Sequence, residues 1–142
     1  MDKLYDYIIE RLPDIEGYGN IGRVYDEDGV SNHSVFKQSI REDKQGDIGM
    51  FITNTHEATK LSGHSFWVSE VQIVVNTVNG DVEGALRYLR SLYNNIQNNS
   101  HNDYIWIKNS RLINICPVGK NSSGIHWCVL NVQLKYIINE DN

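Results

Sequence analysis

The sequence predicts an α/β (α+β) fold, an antiparallel or mixed sheet of four to five strands with two helices packed on one of its faces. Three observations carry that expectation. Residues 66–77 and 125–138 alternate apolar and polar side chains with the period of two that a sheet with one covered face requires. Residues 4–12 and 82–96 repeat their apolar side chains at spacings of three and four, the period of an amphipathic helix. Gly119-Lys120-Asn121-Ser122-Ser123-Gly124 is turn chemistry, so an antiparallel hairpin is the natural pairing of the strands it joins.

Taken in order, Leu4, Tyr5, Ile8, Ile9 and Leu12 form the stripe of a short first helix, with Asp2 as its cap and Pro13 as its stop. A helix of about ten residues is marginal alone in water, so this stripe must dock on another element. From Gly17 to Asp47 the pattern dissolves into Gly, Asp, Asn and Ser, with isolated apolar residues Val24, Tyr25, Val35, Phe36 and Ile40. This stretch either holds a hairpin around Asp28-Gly29 or is a long loop ordered by a partner, which makes residues 17–64 the irregular part of the domain.

Residues 48–53 read as a short strand, followed by a polar loop ending near His64. In the next strand Trp67, Val71, Ile73 and Val75 share the covered face, Glu70, Gln72 and Asn76 share the wet one, and Val74 breaks the rule. Asn79-Gly80-Asp81 ends that strand and caps a helix whose stripe is Val82, Ala85, Leu86, Leu89, Tyr93 and Ile96. Arg87 and Arg90 lie toward solvent, and the polar run 94–102 is the stop. Strands follow at 104–107, 111–118 and 125–138. In the last of these Cys128, Leu130, Val132, Leu134 and Tyr136 face one way, and Asn131, Gln133 and Lys135 the other.

At 142 residues, with 40% hydrophobic and 22% charged, the chain has the size and composition of a single folded domain, residues 1–142. The formal charge of -5 and a pI near 5.4 work against non-specific phosphate binding, and Lys and Arg look scattered rather than gathered on one helix face. The first 14 residues interleave charges with apolar residues, unlike a secretion signal, and no apolar run reaches the ~20 residues of a membrane span. A soluble, intracellular protein is the expectation.

Chemistry-bearing patterns are weak. The histidines at 33, 56, 64, 101 and 126 show no metal-ligand spacing, and His56, Glu57 and His64 read as solvated loop side chains. Gly17, Gly19 and Gly22 spell a dinucleotide fingerprint in letters, but they follow a helix instead of a strand and read as a turn. Cys116 and Cys128, with His126, are the only arrangement to weigh for a thiol enzyme, and no thiol-enzyme signature surrounds them. They read as small apolar residues kept reduced, although a hairpin could bring them face to face. Trp67, Trp106, Trp127 and the tyrosines fit packing and protein contact better than base stacking in an acidic chain. The expectation is therefore a chain with no catalytic residue, no cofactor and no metal. Val35, Phe36, Ile40, Arg87 and Arg90 are its candidate contacts with other subunits.

Three stretches resemble the minor capsid, tail-completion and tail-terminator proteins of long-tailed bacteriophages. They are the strand of residues 66–77, the Asp81-capped helix ending in Leu92-Tyr93, and Pro117-Val118-Gly119 with Gly124 leading into Leu130 to Tyr136. Together they span residues 66–138. The resemblance implies a virion structural subunit of the tail or neck, assembled in the host bacterial cytoplasm. It implies a head-to-tail ring, commonly a hexamer, that stops tube growth and joins the tail to the connector. Its partners would be further copies of itself, the tail tube protein, and the head connector and completion proteins, with DNA passing through the lumen without specific binding. A small intracellular thiol-dependent enzyme and a phage accessory binding module are the alternatives.

Overall fold

The computed structural model describes residues 2–19, 34–59 and 65–139. Helix α1 (Asp2–Arg11) is followed by strands β1 (Val35–Lys37), β2 (Ile48–Thr59) and β3 (Ser65–Asn76), helix α2 (Val82–Asn98), and strands β4 (Ile105–Lys120) and β5 (His126–Ile138). The strands make one mixed sheet in the order β1-β2-β3-β5-β4, with β1 parallel to β2 and every other pair antiparallel. Both helices pack on one face, which is the predicted fold.

The covered face follows the period of two. Ile48, Met50 and Ile52 of β2, Val71, Ile73 and Val75 of β3, and the series Cys128 to Tyr136 of β5 are buried against Leu4, Ile8, Ala85, Tyr88, Leu89, Leu92 and Ile96. Each Val, Leu, Ile or Met among them stabilises the fold by roughly 1.5–3 kcal/mol relative to exposure. The Asp81 carboxylate accepts from the Gly84 amide at 2.9 Å, the capping bond expected from the sequence. Asn79 and Gly80 both have positive φ, and Asp81 N–H bonds Val78 C=O at 3.0 Å, the geometry of a tight Asn-Gly turn.

Helix α2 runs about a turn further into the polar stretch than its composition suggests, because buried Ile96 anchors that turn to the core. Its exposed carbonyls are finished from α1. Tyr7 Oη donates to Asn99 O at 2.7 Å, and Arg11 donates to Asn99 O at 2.6 Å and His101 O at 2.7 Å. The helix has no basic residue in its own last turn, so the Arg11 guanidinium supplies the charge that complements its dipole.

Other boundaries shift for identifiable reasons. Residues 35–37, inside the stretch read as irregular, form the parallel edge strand; the hairpin considered at Asp28-Gly29 lies outside the described residues. Strand β2 continues to Thr59, where a polar loop was expected. The register shifts between Thr53 and His56, with Asn54 at φ 51°. Hydroxyls pin this bulge: Thr55 Oγ1 lies 2.8 Å from Ser69 Oγ, which lies 2.6 Å from Tyr136 Oη. The segments 104–107 and 111–118 are one strand, β4, kept continuous through three register shifts.

The far face of the sheet is not wholly wet. Residues 38–47 cross it as a strap held by Asn76, whose Nδ2 donates to Arg41 O at 2.7 Å and Lys44 O at 2.9 Å. That contact buries Asn76 and explains apolar Val74, which lines the hollow beneath the strap. Beside the first strand, Gln38 N–H bonds Met50 O; where β1 ends, Tyr5 Oη accepts from Ile52 N–H at 3.2 Å, finishing the edge of β2.

Burial raises the phenol pKa of Tyr7, Tyr18 and Tyr136 above the ordinary 10.0. An unfolded tyrosine then loses its proton at lower pH than a folded one, so the stability these groups contribute is present below pH 10 and lost as pH rises beyond it. Tyrosinate absorbance in an alkaline titration should show early, reversible ionisation of exposed tyrosines. A later step should coincide with loss of the circular dichroism signal; smooth ionisation of all tyrosines in the folded protein would contradict the burial.

Candidate functional site

Five large hydrophobic side chains are exposed among the described residues: Tyr104 (40%), Trp106 (52%), Leu112 (42%), Ile113 (54%) and Val118 (46%). All lie on β4 or the residue before it. The bulges explain part of this exposure. In an unbroken strand Leu112 and Asn114 would share a face, but the register steps from Leu112↔Val132 to Asn114↔Asn131, leaving Ile113 as the extra residue. Leu112 stays opposite core-facing Val132, while Ile113 lines a shallow depression on the far face with Phe51, Glu70, Gln72 and Asn131.

Sixteen residues long, β4 is the outermost strand; its first residues bridge back to residues 100–102, with Ile107 N–H on Ser100 O at 2.6 Å, and beyond them its outer row of backbone groups meets no strand among the described residues. Cations accompany the apolar residues. Lys108 Nζ sits 3.3 Å above the Trp106 ring, and Lys3 Nζ lies 4.6 Å from the Tyr104 ring centre. Tyr104, Trp106, His101, Ile137 and Ile138 also line an open cleft of about 970 Å³ at the foot of the strand.

Charge is segregated along the chain. From Tyr104 to Asn139 there is no Asp or Glu, and Lys108, Arg111, Lys120 and Lys135 give this hairpin +4 with neutral histidines. The other nine Lys and Arg and all 18 Asp and Glu lie outside it, so the remainder sums to -9. The cations are scattered along the sequence as expected; what segregates the charge is an absence of acids and not a run of bases.

An amide ladder crosses the far face: Gln72 Nε2 donates to Asn131 Oδ1 at 3.1 Å, and Asn131 Nδ2 to Asn114 Oδ1 at 2.7 Å. At the hairpin turn Asn121 Nδ2 donates to Glu42 O at 2.9 Å and Ser122 Oγ bonds the Glu42 carboxylate, tying the strap to the hairpin. Within the strap Arg41 grips Asp47 through two bonds, of 2.7 and 2.9 Å, and stacks 4.9 Å from the Phe36 ring centre. Burial raises the Asp47 carboxyl pKa, with Arg41 opposing the shift in part.

The candidate contact residues fall into two groups. Val35 and Phe36 are buried within the chain's own fold as β1, so neither side chain is presented at the surface of a single copy. Ile40 is half-buried over the hollow beneath the strap, and Arg87 and Arg90 are exposed on α2. The residues of β4 were not among the sequence candidates. In the sequence their apolar character reads as core, and only the edge position and the bulges turn it outward.

The thiol arrangement does not assemble. Cys128 is paired in register with Pro117 and Cys116 with Val129, which puts the two thiols on opposite faces, and His126 pairs with Lys120 instead of Cys116. Both cysteines are free, and burial raises the Cys128 pKa, away from the reactive thiolate form. A thiol reagent at neutral pH should therefore label partly exposed Cys116 in the native protein and Cys128 only after unfolding. Equal labelling rates would contradict the alternating register.

Among the described residues no group of three or more His, Cys, Asp and Glu is placed to hold a metal ion. Gly17 and Gly19 lie in the turn after α1, with φ of 93° and 56°; Gly22 lies outside the described residues. The sequence matches no protein-family model and no curated protein.

Proposed function

We propose that this chain is a structural subunit of a long-tailed bacteriophage, a tail-terminator or tail-completion protein. In this reading copies of it form a ring at the head-tail interface, cap the tail tube and join it to the connector. The observation that carries the reading is the concentration of exposed large hydrophobics on β4, in a protein whose charge otherwise keeps copies apart. Exposed apolar groups clustered along one strand mark a surface built to be covered.

A ring subunit also needs two unlike, mutually complementary surfaces. The sheet edges are unlike: sixteen bulged residues on one side, three residues finished by a helix tyrosine on the other. The partners are further copies, the tail tube protein and the head connector or completion proteins, with duplex DNA passing through the lumen unread. The protein then belongs to the virion neck and assembles in the bacterial cytoplasm.

Light scattering on the purified chain, with and without tail tubes, tests this. The expected result is a closed assembly of about six copies, free or on tube ends seen by electron microscopy, and tubes of fixed length when the chain is present. Tubes that grow unchecked with the chain absent from their ends would refute the role.

A further inference from the structure

We propose that the exposed side-chain surface of β4 is one half of a head-to-tail contact between copies of this chain, and that the other half is the acidic outer surface of α1 on the next copy. The proposal rests on the self-assembly reading above but not on the identity of the assembly.

Charge selects the pairing. Two copies meeting β4 to β4 would bring two +4 hairpins together, and two acidic remainders repel likewise. Attraction arises where the hairpin of one copy meets the acidic part of another. Among the described side chains of residues 3–19, those of the exposed charged residues are all acidic: Asp6, Glu10, Asp14 and Glu16. Of the two cations of that segment, Arg11 is held on the carbonyls of Asn99 and His101, reaching Glu10 at 3.8 Å, and Lys3 lies over Tyr104 on the β4 side. Half-buried Ile9 and Ile15 sit beside this acidic surface, giving the apolar side chains of β4 something to cover.

The edge itself argues for docking by side chains and against adding a strand. Three register shifts, Pro117, Lys108 and Lys120 interrupt β4, the devices by which an edge strand resists continuation of its sheet. Trp106, Ile113 and Val118 are left to form the apolar centre of a contact with Lys108 and Arg111 at its rim. Because β4 and α1 are different surfaces, the contact is heterologous, and successive copies close a ring or extend a filament depending on the rotation between them.

Charge exchange tests both halves together in the full-length chain. Lys108→Glu with Arg111→Glu makes the β4 rim acidic; Glu10→Lys with Glu16→Lys makes the α1 surface basic. These sites are exposed, and circular dichroism with thermal melting verifies folding. Each variant alone should self-associate about tenfold or more weakly than wild type by sedimentation, and an equimolar mixture should regain the wild-type mass, because each altered surface then meets its complement.

Undiminished association of the β4 variant overturns the proposal, as does a mixture that stays dissociated or a wild-type chain that is monomeric at every concentration. So does a β4 variant that loses retention of duplex DNA with self-association unchanged, which would make the hairpin a phosphate-binding surface. Wild-type copies that associate by this exchange rule yet ignore tail tubes would refute the phage role and leave the contact standing.

Discussion

Gly46→Ala is expected to destabilise the protein by about 2–5 kcal/mol, combining a strained backbone with an overfilled contact. Gly46 has φ of 78°, and a Cβ built there would lie 1.9 Å from the Gly17 carbonyl oxygen, a backbone atom that cannot rotate aside. Here the chain after α1 crosses the end of the strap, joined by Gly19 N–H to Gly46 O at 3.0 Å. Gly80→Ala is the control: its φ is 73°, but nothing lies within 4 Å of the added methyl, so only the conformational cost of about 1 kcal/mol remains. Denaturant midpoints for the two variants at unchanged slope measure the difference. Equal losses would mean that the close crossing of the two segments does not exist.

Arg41→Ala should cost about 2–4 kcal/mol, toward the lower part of the range for breaking a buried ion pair because the Arg41 side chain is a third exposed. The Asp47 side chain is 1% exposed and would keep its burial without its guanidinium. The pH dependence gives the sharper check. A carboxyl whose folded pKa stands above its unfolded one binds its proton more tightly when folded. Its contribution to stability is therefore greatest below the unfolded pKa and declines as pH rises through the folded pKa. Burial already sets that direction for Asp47, and removing Arg41 removes what opposes it. The deficit of the variant should shrink as pH falls into the carboxylate range. A deficit independent of pH would assign the loss to the Phe36 stacking contact alone.

Much of the fold was legible because its signals are local. The alternation in β3 and β5 and the stripe of α2 each reflect one covered face, and Asp81 caps where its position before an apolar run says it should. What escaped notice depends on distant partners. Asn76 reads as a wet-face residue until the strap supplies two carbonyls, and Asn54 to Thr59 read as a loop until β3 offers a ladder. Strand β1, at three residues, is too short to show a period.

The surface of β4 was hidden for a different reason. Trp106, Leu112, Ile113 and Val118 look like core until the strand is known to be outermost, and the bulge at Ile113 reverses which side chains share a face. The acid-free run from Tyr104 to Asn139 is present in the sequence and marks the hairpin by an absence of acids and not by a cluster of bases.

The Tyr5 hydroxyl that meets the Ile52 amide has a bearing on what this chain does at high concentration. Where β1 stops, the next donor along that border is already occupied by the helix above it. At that point an incoming peptide could extend the ladder only by displacing a packed aromatic ring, and on the opposite side it would meet kinks and a proline. At high concentration the polypeptide therefore carries, at one point of each border, an obstacle to endless cross-β growth.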